Sequence, residues 1–202
     1  MKRLFKLTAL GAALVLACSH ALAEPDAYRI DDSHSFANWS IRHVVSKTSG
    51  TFSDISGSIL IDTKDLTKSS VEAKINMLSV NSSHAKRDEH IKKKAEYLDT
   101  DHFAEMTFVS KKIVATSNTE GVMTGVLTMH GVAKEMTFPF KVLGFGSDPW
   151  GGSRAGFEAH TSLKASDFGY AWGLKKDAPV GDYIEITLLI EGVKLPPANP
   201  VK

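Results

Sequence analysis

The chain has a single cysteine, Cys18, in 202 residues. An internal disulfide needs two, so none holds this fold together. Long apolar runs are also missing. The first, Leu7 to Ala17, falls well short of the roughly 20 residues a membrane-spanning helix needs, and no later segment approaches that length. Charge of one sign is scarce too. The 24 Lys and Arg nearly cancel 23 Asp and Glu, for a formal charge of +1, so no global field gathers nucleic acid. His-x-His, His-x-x-x-His, Gly-x-Ser-x-Gly and a glycine-rich phosphate loop do not occur. Their absence removes the usual sequence forms of a metal site, a serine nucleophile and a nucleotide cradle. Neither a metal nor a cofactor is expected.

What is present begins with Lys2, Arg3 and Lys6, then the apolar run, then Ala21-Leu22-Ala23 before the first acidic residue, Glu24. That is the layout of a secretory signal peptide spanning 1–23, cleaved between Ala23 and Glu24, and it predicts an exported bacterial protein of the periplasm. Val15-Leu16-Ala17-Cys18 offers a competing lipoprotein signal, in which Leu16 fits poorly. Ordinary cleavage removes Cys18 and leaves 24–202, with 21 basic against 23 acidic residues. That length suits one domain with a substantial core. The Pro196-Pro197 to Pro200 tail is expected to fray.

Between Tyr28 and Leu195 the dominant pattern is apolar alternation with period two, broken by Gly, Asn, Asp and Ser clusters. This is how antiparallel strands with one buried face read. Ala37, Trp39 and Ile41 form one inward row; Val71, Ala73, Ile75 and Met77 form another. Met136, Phe138, Phe140 and Val142, then Ala155, Phe157, Ala159 and Leu163, then Ile184, Ile186, Leu188 and Ile190, form three more. Segments around Phe52–Ile61, Met106–Ile113 and Val122–Met129 bring the total to about eight strands. Eight strands can close into an all-β antiparallel barrel, just wide enough either to be filled by side chains or to hold one small ligand. The inward rows suit a cavity and a packed core equally well.

One segment departs from the pattern. Ser83 is placed to cap a helix from His84 to about Leu98, with Ile91, Ala95 and Leu98 as its apolar stripe. Such a helix is expected to cover an open end of the barrel. Its other face holds Lys86, Arg87, Lys92, Lys93 and Lys94, which suits plain solubility or a transient membrane contact. Other polar groups read as turn chemistry. Asp31-Asp32-Ser33-His34-Ser35 enters a strand, and Asp99-Thr100-Asp101-His102 follows the helix.

Several blocks carry a resemblance: Tyr28-Arg29-Ile30-Asp31, His34-Ser35, Ile41-Arg42-His43, Gly50-Thr51-Phe52 and His84-Ala85-Lys86-Arg87-Asp88-Glu89-His90-Ile91. Gly125-Val126-Leu127-Thr128, Gly131-Val132-Ala133-Lys134, Asp148 to Phe157 and Asp167-Phe168-Gly169 continue it. In this order they resemble the YceI family of periplasmic lipid-binding proteins. The resemblance implies an eight-stranded lipocalin-like barrel with a helix near one end, and a long apolar tunnel holding a polyisoprenoid or similar lipid. It also implies frequent homodimerisation. Lys93 to Leu98 and Ala171 to Lys176 depart from the family pattern near a barrel end.

Inward rows and resemblance together make Trp39, Ile41, Phe52, Ile75, Met77, Phe108, Phe138, Phe140, Phe157, Ile186 and Leu188 the expected lipid contacts. His43, Arg87 and Arg154 are the expected headgroup contacts at the mouth. The expected function is lipid binding, storage or transport without catalysis. Two alternatives are a stress-related or partner-binding module with a filled core, marked by an apolar patch near Trp150 or Trp172, and an enzyme using His34, His43 or Asp167.

Overall fold

The structure, a computed structural model, describes residues 24–197. The expected signal segment with Cys18, and the end of the proline-rich tail, lie outside the described residues. Eleven strands form one antiparallel sheet: β1 (Asp26–Ile30), β2 (Phe36–His43), β3 (Ser46–Phe52), β4 (Ile55–Ile61), β5 (Ser70–Asn76), β6 (Val80–Asn81), β7 (Glu105–Ala115), β8 (Glu120–Met129), β9 (Val132–Ser147), β10 (Ser153–Lys164) and β11 (Val180–Lys194). Six of them are halves of three long strands, each broken near its middle. β1 and β2 are separated by a one-turn 3-10 segment at Asp32–His34, β3 and β4 by Ser53-Asp54, and β5 and β6 by a 3-10 turn at Met77–Ser79. Counted this way there are eight long strands in up-and-down order, and they close on themselves. β11 pairs with β2 from Val180↔His43 to Leu189↔Phe36, and with β1 from Ile30↔Gly192 to Tyr28↔Lys194. Closure leaves the main wall without a free edge.

The first break has an identifiable cause. Asp31 caps the 3-10 turn by accepting from the Ser33 amide, while the Ser35 hydroxyl donates to the Glu191 carbonyl and accepts from the Glu191 amide. The ladder to β11 is interrupted there, yet its polar groups stay paired. Turn chemistry is expected across Asp31 to Ser35, and within that run the capping carboxylate is that of Asp31.

The helix is shorter than its apolar spacing suggests. α1 runs Ala85–Lys93, capped by the His84 ring rather than by Ser83, whose φ is +61°. At Lys94 the backbone turns extended, and the chain folds back so that the Leu98 amide donates to the Ile91 carbonyl and the Thr100 amide to that of Lys92. Ala95 is therefore exposed, while Leu98 reaches the barrel from a loop.

In an up-and-down barrel successive connections alternate between the two ends. The β2–β3 turn, α1, the β8–β9 turn and the β10–β11 connection share one end, the helix end. The turn at Leu66–Lys68, the β7–β8 turn and the β9–β10 hairpin share the other, the far end.

Candidate functional site: the barrel lumen

The inward rows do not fill the barrel. Trp39, Ile41, Phe52, Ile75, Phe108, Phe140, Phe157, Ile186 and Leu188 line the lumen and remain half-exposed, while Met77 and Phe138 line it and are buried. The surface these side chains keep faces a cavity of about 430 Å³. A space that size belongs with ligand sites rather than packing defects, since a single water needs only roughly 10–15 Å³ on a comparable measure. Its wall follows β11 from Ile184 to Ile190, about 20 Å along the strand. That exceeds the depth of one bilayer leaflet's hydrocarbon, about half of the ≈ 30 Å core.

Six aromatic rings on the strands, those of Trp39, Phe52, Phe108, Phe138, Phe140 and Phe157, would be expected to crowd so narrow a tube, and glycines on neighbouring strands help explain why they do not. A Cβ built on Gly50 would lie 2.5 Å from Cζ2 of Trp39 and 2.5 Å from the Asn81 carbonyl oxygen. One on Gly125 would lie 2.4 Å from Cζ of Phe108, and one on Gly121 2.9 Å from Cε1 of Phe140. Each ring occupies the place that a side chain on the facing glycine would take. Alanines leave further room: Ala37, Ala73 and Ala159 line the cavity, whereas Ala155 is buried in the wall.

The two ends differ. At the far end Tyr28, Ile59, Ile61, Leu66 and Ile113 are each at most 5% exposed, with Leu66 brought over the base by its turn; Leu60 there is partly exposed. At the helix end His43 and His90 line the cavity and are also exposed to solvent, so they mark a mouth. Arg87 lines it beside them, its Nε donating to the Ser82 hydroxyl at 2.7 Å and Nη2 to the Ser82 carbonyl at 2.6 Å. Across this end runs a file of rings: Phe103 to His130 at 4.2 Å between centroids, His130 to Tyr170 at 4.5 Å, Tyr170 to Trp172 at 4.5 Å, Trp172 to Tyr97 at 5.4 Å and Tyr97 to His90 at 5.2 Å. Burial pushes the hydroxyls of Tyr170 and Tyr97 up from the usual phenol range. The Tyr170 hydroxyl and Trp39 Nε1 are buried without a protein partner. Each costs stability of order 1–3 kcal/mol, and both belong to lumen residues.

Arg154 is not at this mouth. It pairs across the sheet with Val193, at the opposite end of β11 from the Val180–His43 pair. Its guanidinium is held by Asp148 at 2.9 Å, Glu191 at 2.9 Å and Asp31. A headgroup contact needs a free cation, and this one is surrounded by three carboxylates. Asp31, His34 and Glu191 approach one another within 4.8 Å, a spacing a metal could use, but Arg154 already supplies the cation there. Sequence reading missed His90, Tyr97 and Tyr170, which complete the helix end of the cavity together with Trp172 and with Ile91 and Leu98 of the expected apolar stripe. Parity of the connections is the signal that could have sorted them, since the segments holding them all lie at the end where Arg154 is not. Trp172 belongs to the ring file and its Nε1 donates to the Gly181 carbonyl, whereas Trp150 is exposed on the far hairpin.

The family model for a YceI-like domain matches residues 28–192. A UPF0312 protein of Pseudomonas putida (strain GB-1) is 38% identical over 197 residues, spanning 96% of this chain and 98% of that one. Among solved structures, BcnA of Burkholderia cenocepacia aligns with a TM-score of 0.72 at 21% identity, over 80% of this chain and 98% of its own. A polyisoprenoid binding domain from Saccharophagus degradans aligns with a TM-score of 0.65 at 14% identity, over 84% of this chain and 99% of its own. Both share the closed barrel.

Proposed function

The chain belongs to the YceI-like domain family, and from that premise we propose that it binds and carries a long-chain polyisoprenoid or similar amphiphilic lipid in the barrel lumen, without catalysis, in the periplasm. The observation that carries this is the apolar cavity of about 430 Å³ running between the packed far end and the mouth. Each methylene moved from water into that wall contributes roughly 0.8 kcal/mol, so a chain of ten or more carbons is held without any covalent step. The polar group of the ligand lies at the helix end with His43 and Arg87, and the tail runs toward Ile59 and Ile113. The polyisoprenoid binding domain that shares this fold supports an isoprenoid over a straight acyl chain. Binding rather than turnover is favoured because the lining is overwhelmingly apolar, with His43, Arg87 and His90 at the mouth. Export, cleavage after Ala23 and homodimerisation belong to the same proposal.

The test is extraction of the purified protein into organic solvent followed by mass spectrometry. An apolar lipid at near one per chain is expected. A protein that yields none, and stays empty when offered long-chain isoprenoids, overturns the carrier reading.

A further inference from the structure

The two-residue turn joining β2 to β3 is Val44-Val45, and it violates local preference twice. The closing pair is His43↔Ser46, and Val44 sits at φ +50°. Tight hairpin turns with positive φ favour Asn, Asp or Gly, because a β-branched side chain is strained there. These valines are also 55% and 97% exposed, so packing does not repay the strain. The tip is nonetheless firmly held. The Val44 amide donates to the Pro179 carbonyl at 2.7 Å, and Arg42 Nη2 donates to the Ala178 carbonyl at 2.9 Å. Both acceptors belong to the connection between β10 and β11, which presents Leu174, 64% exposed, followed by Lys175 and Lys176. Trp172 of the same connection packs against Tyr97, just beyond α1, with the rings tilted.

Two segments around the mouth thus offer protruding aliphatic side chains, and a third, the end of α1, adds lysine beside them. Lys93 pairs with Asp101 and Lys47 with Glu185, but Lys94, Lys175 and Lys176 enter no ion pair among the described residues. Glu89, Glu96 and Asp177 are the nearby counter-charges.

We propose that this rim is a membrane-docking face: Val44, Val45 and Leu174 enter the interfacial layer of an anionic bilayer, and Lys94, Lys175 and Lys176 meet its headgroups, with the cavity mouth turned toward the lipid. The inference rests on the carrier reading and adds the surface through which cargo enters and leaves. Charge complementarity selects the occupant, since unpaired lysines beside isolated aliphatic tips suit an anionic surface. Docking here shortens the path over which an apolar chain meets water. The far end also has exposed apolar groups, Leu143, Phe145 and Trp150, but its base is packed beneath them.

The experiment is co-sedimentation of the mature protein with vesicles of phosphatidylethanolamine and phosphatidylglycerol, compared with phosphatidylcholine alone. Binding is expected to the anionic vesicles and to fall with salt. Val45→Asp, and separately Lys175→Glu with Lys176→Glu, should weaken it about tenfold or more, while Trp150→Asp leaves it unchanged. Val44→Asn with Val45→Gly restores the ordinary turn residues. That variant should be at least as stable as the parent to heat and yet bind vesicles less, a combination a purely structural role would not give. Wild-type protein that ignores anionic vesicles, or binding lost in Trp150→Asp and kept in Val45→Asp, overturns the docking face. Lipid content, measured on the same samples, separates the readings. Variants that keep cargo but do not dock test the face alone, and a protein that docks yet never contains lipid refutes the carrier reading instead.

Discussion

A lumen can be kept open by residues that are not in it. Gly50 faces Trp39 across β2 and β3 as a direct pair, and the indole lies against it because no side chain intervenes. Replacing Gly50 by Val would force the ring off the wall and into the lumen, and would press on the Asn81 carbonyl at the same time. The lumen has room for the ring but the backbone does not yield, so a loss of about 1–3 kcal/mol is expected, with bound lipid reduced well below the parent's. Urea unfolding and mass spectrometry of the extract check the two parts. An unchanged lipid load would mean that the ring position does not govern capacity. None of this was legible from Gly50 itself. In sequence it reads as a strand glycine with a bulge or a close approach as equal meanings, and only the cross-strand register names the partner.

At the scale of the element, alternation carried most of the information. Rows such as Ile184, Ile186, Leu188 and Ile190 were readable because a period of two assigns faces without knowing neighbours. The extent of α1 was not, since Ile91, Ala95 and Leu98 fit helical spacing whether or not the chain turns at Lys94. Turn chemistry between β1 and β2 was readable at Asp31 to Ser35, but the approach of Arg154 from β10 to that turn was not. There the Ser33 hydroxyl, the His34 ring and Arg154 hold the Asp31 carboxyl well below the usual carboxylate range. Asp31 is thus more acidic folded than unfolded. Its contribution to stability is fully present above the ordinary value of 3.8 and fades as pH falls below it. Arg154→Met should therefore lower the urea midpoint at neutral pH, by an amount that shrinks as the pH is taken below 4, where protonation of the carboxylates begins to remove what the guanidinium was paired with. A midpoint difference that stays constant from pH 7 down to pH 3 would show that Arg154 acts through packing and not through its carboxylates.

For the whole molecule, the fold class followed from the strand count and the closed order, but the state of the lumen could not. Volume depends on how rings tilt, and the same inward rows would suit a filled core. A barrel with an unfilled interior forgoes the dispersion contacts that a packed core supplies, and here the lining of β2, β5 and β11 keeps apolar surface that only a guest can cover. Cargo then acts as part of the core. Anything bound by the folded chain and not by the unfolded one stabilises it by RT ln(1 + [L]/Kd), about 2.7 kcal/mol at a hundredfold excess over Kd. Protein stripped of lipid should unfold at lower urea than protein as purified, and regain its midpoint when reloaded with a long-chain isoprenoid. Ile186→Trp supplies the control, because an indole at that place occupies lumen that the lipid would use. Its stripped form should lose the difference between empty and loaded midpoints. Equal midpoints for the stripped and loaded parent protein would show that the cavity gains nothing from a guest, whatever its walls are made of.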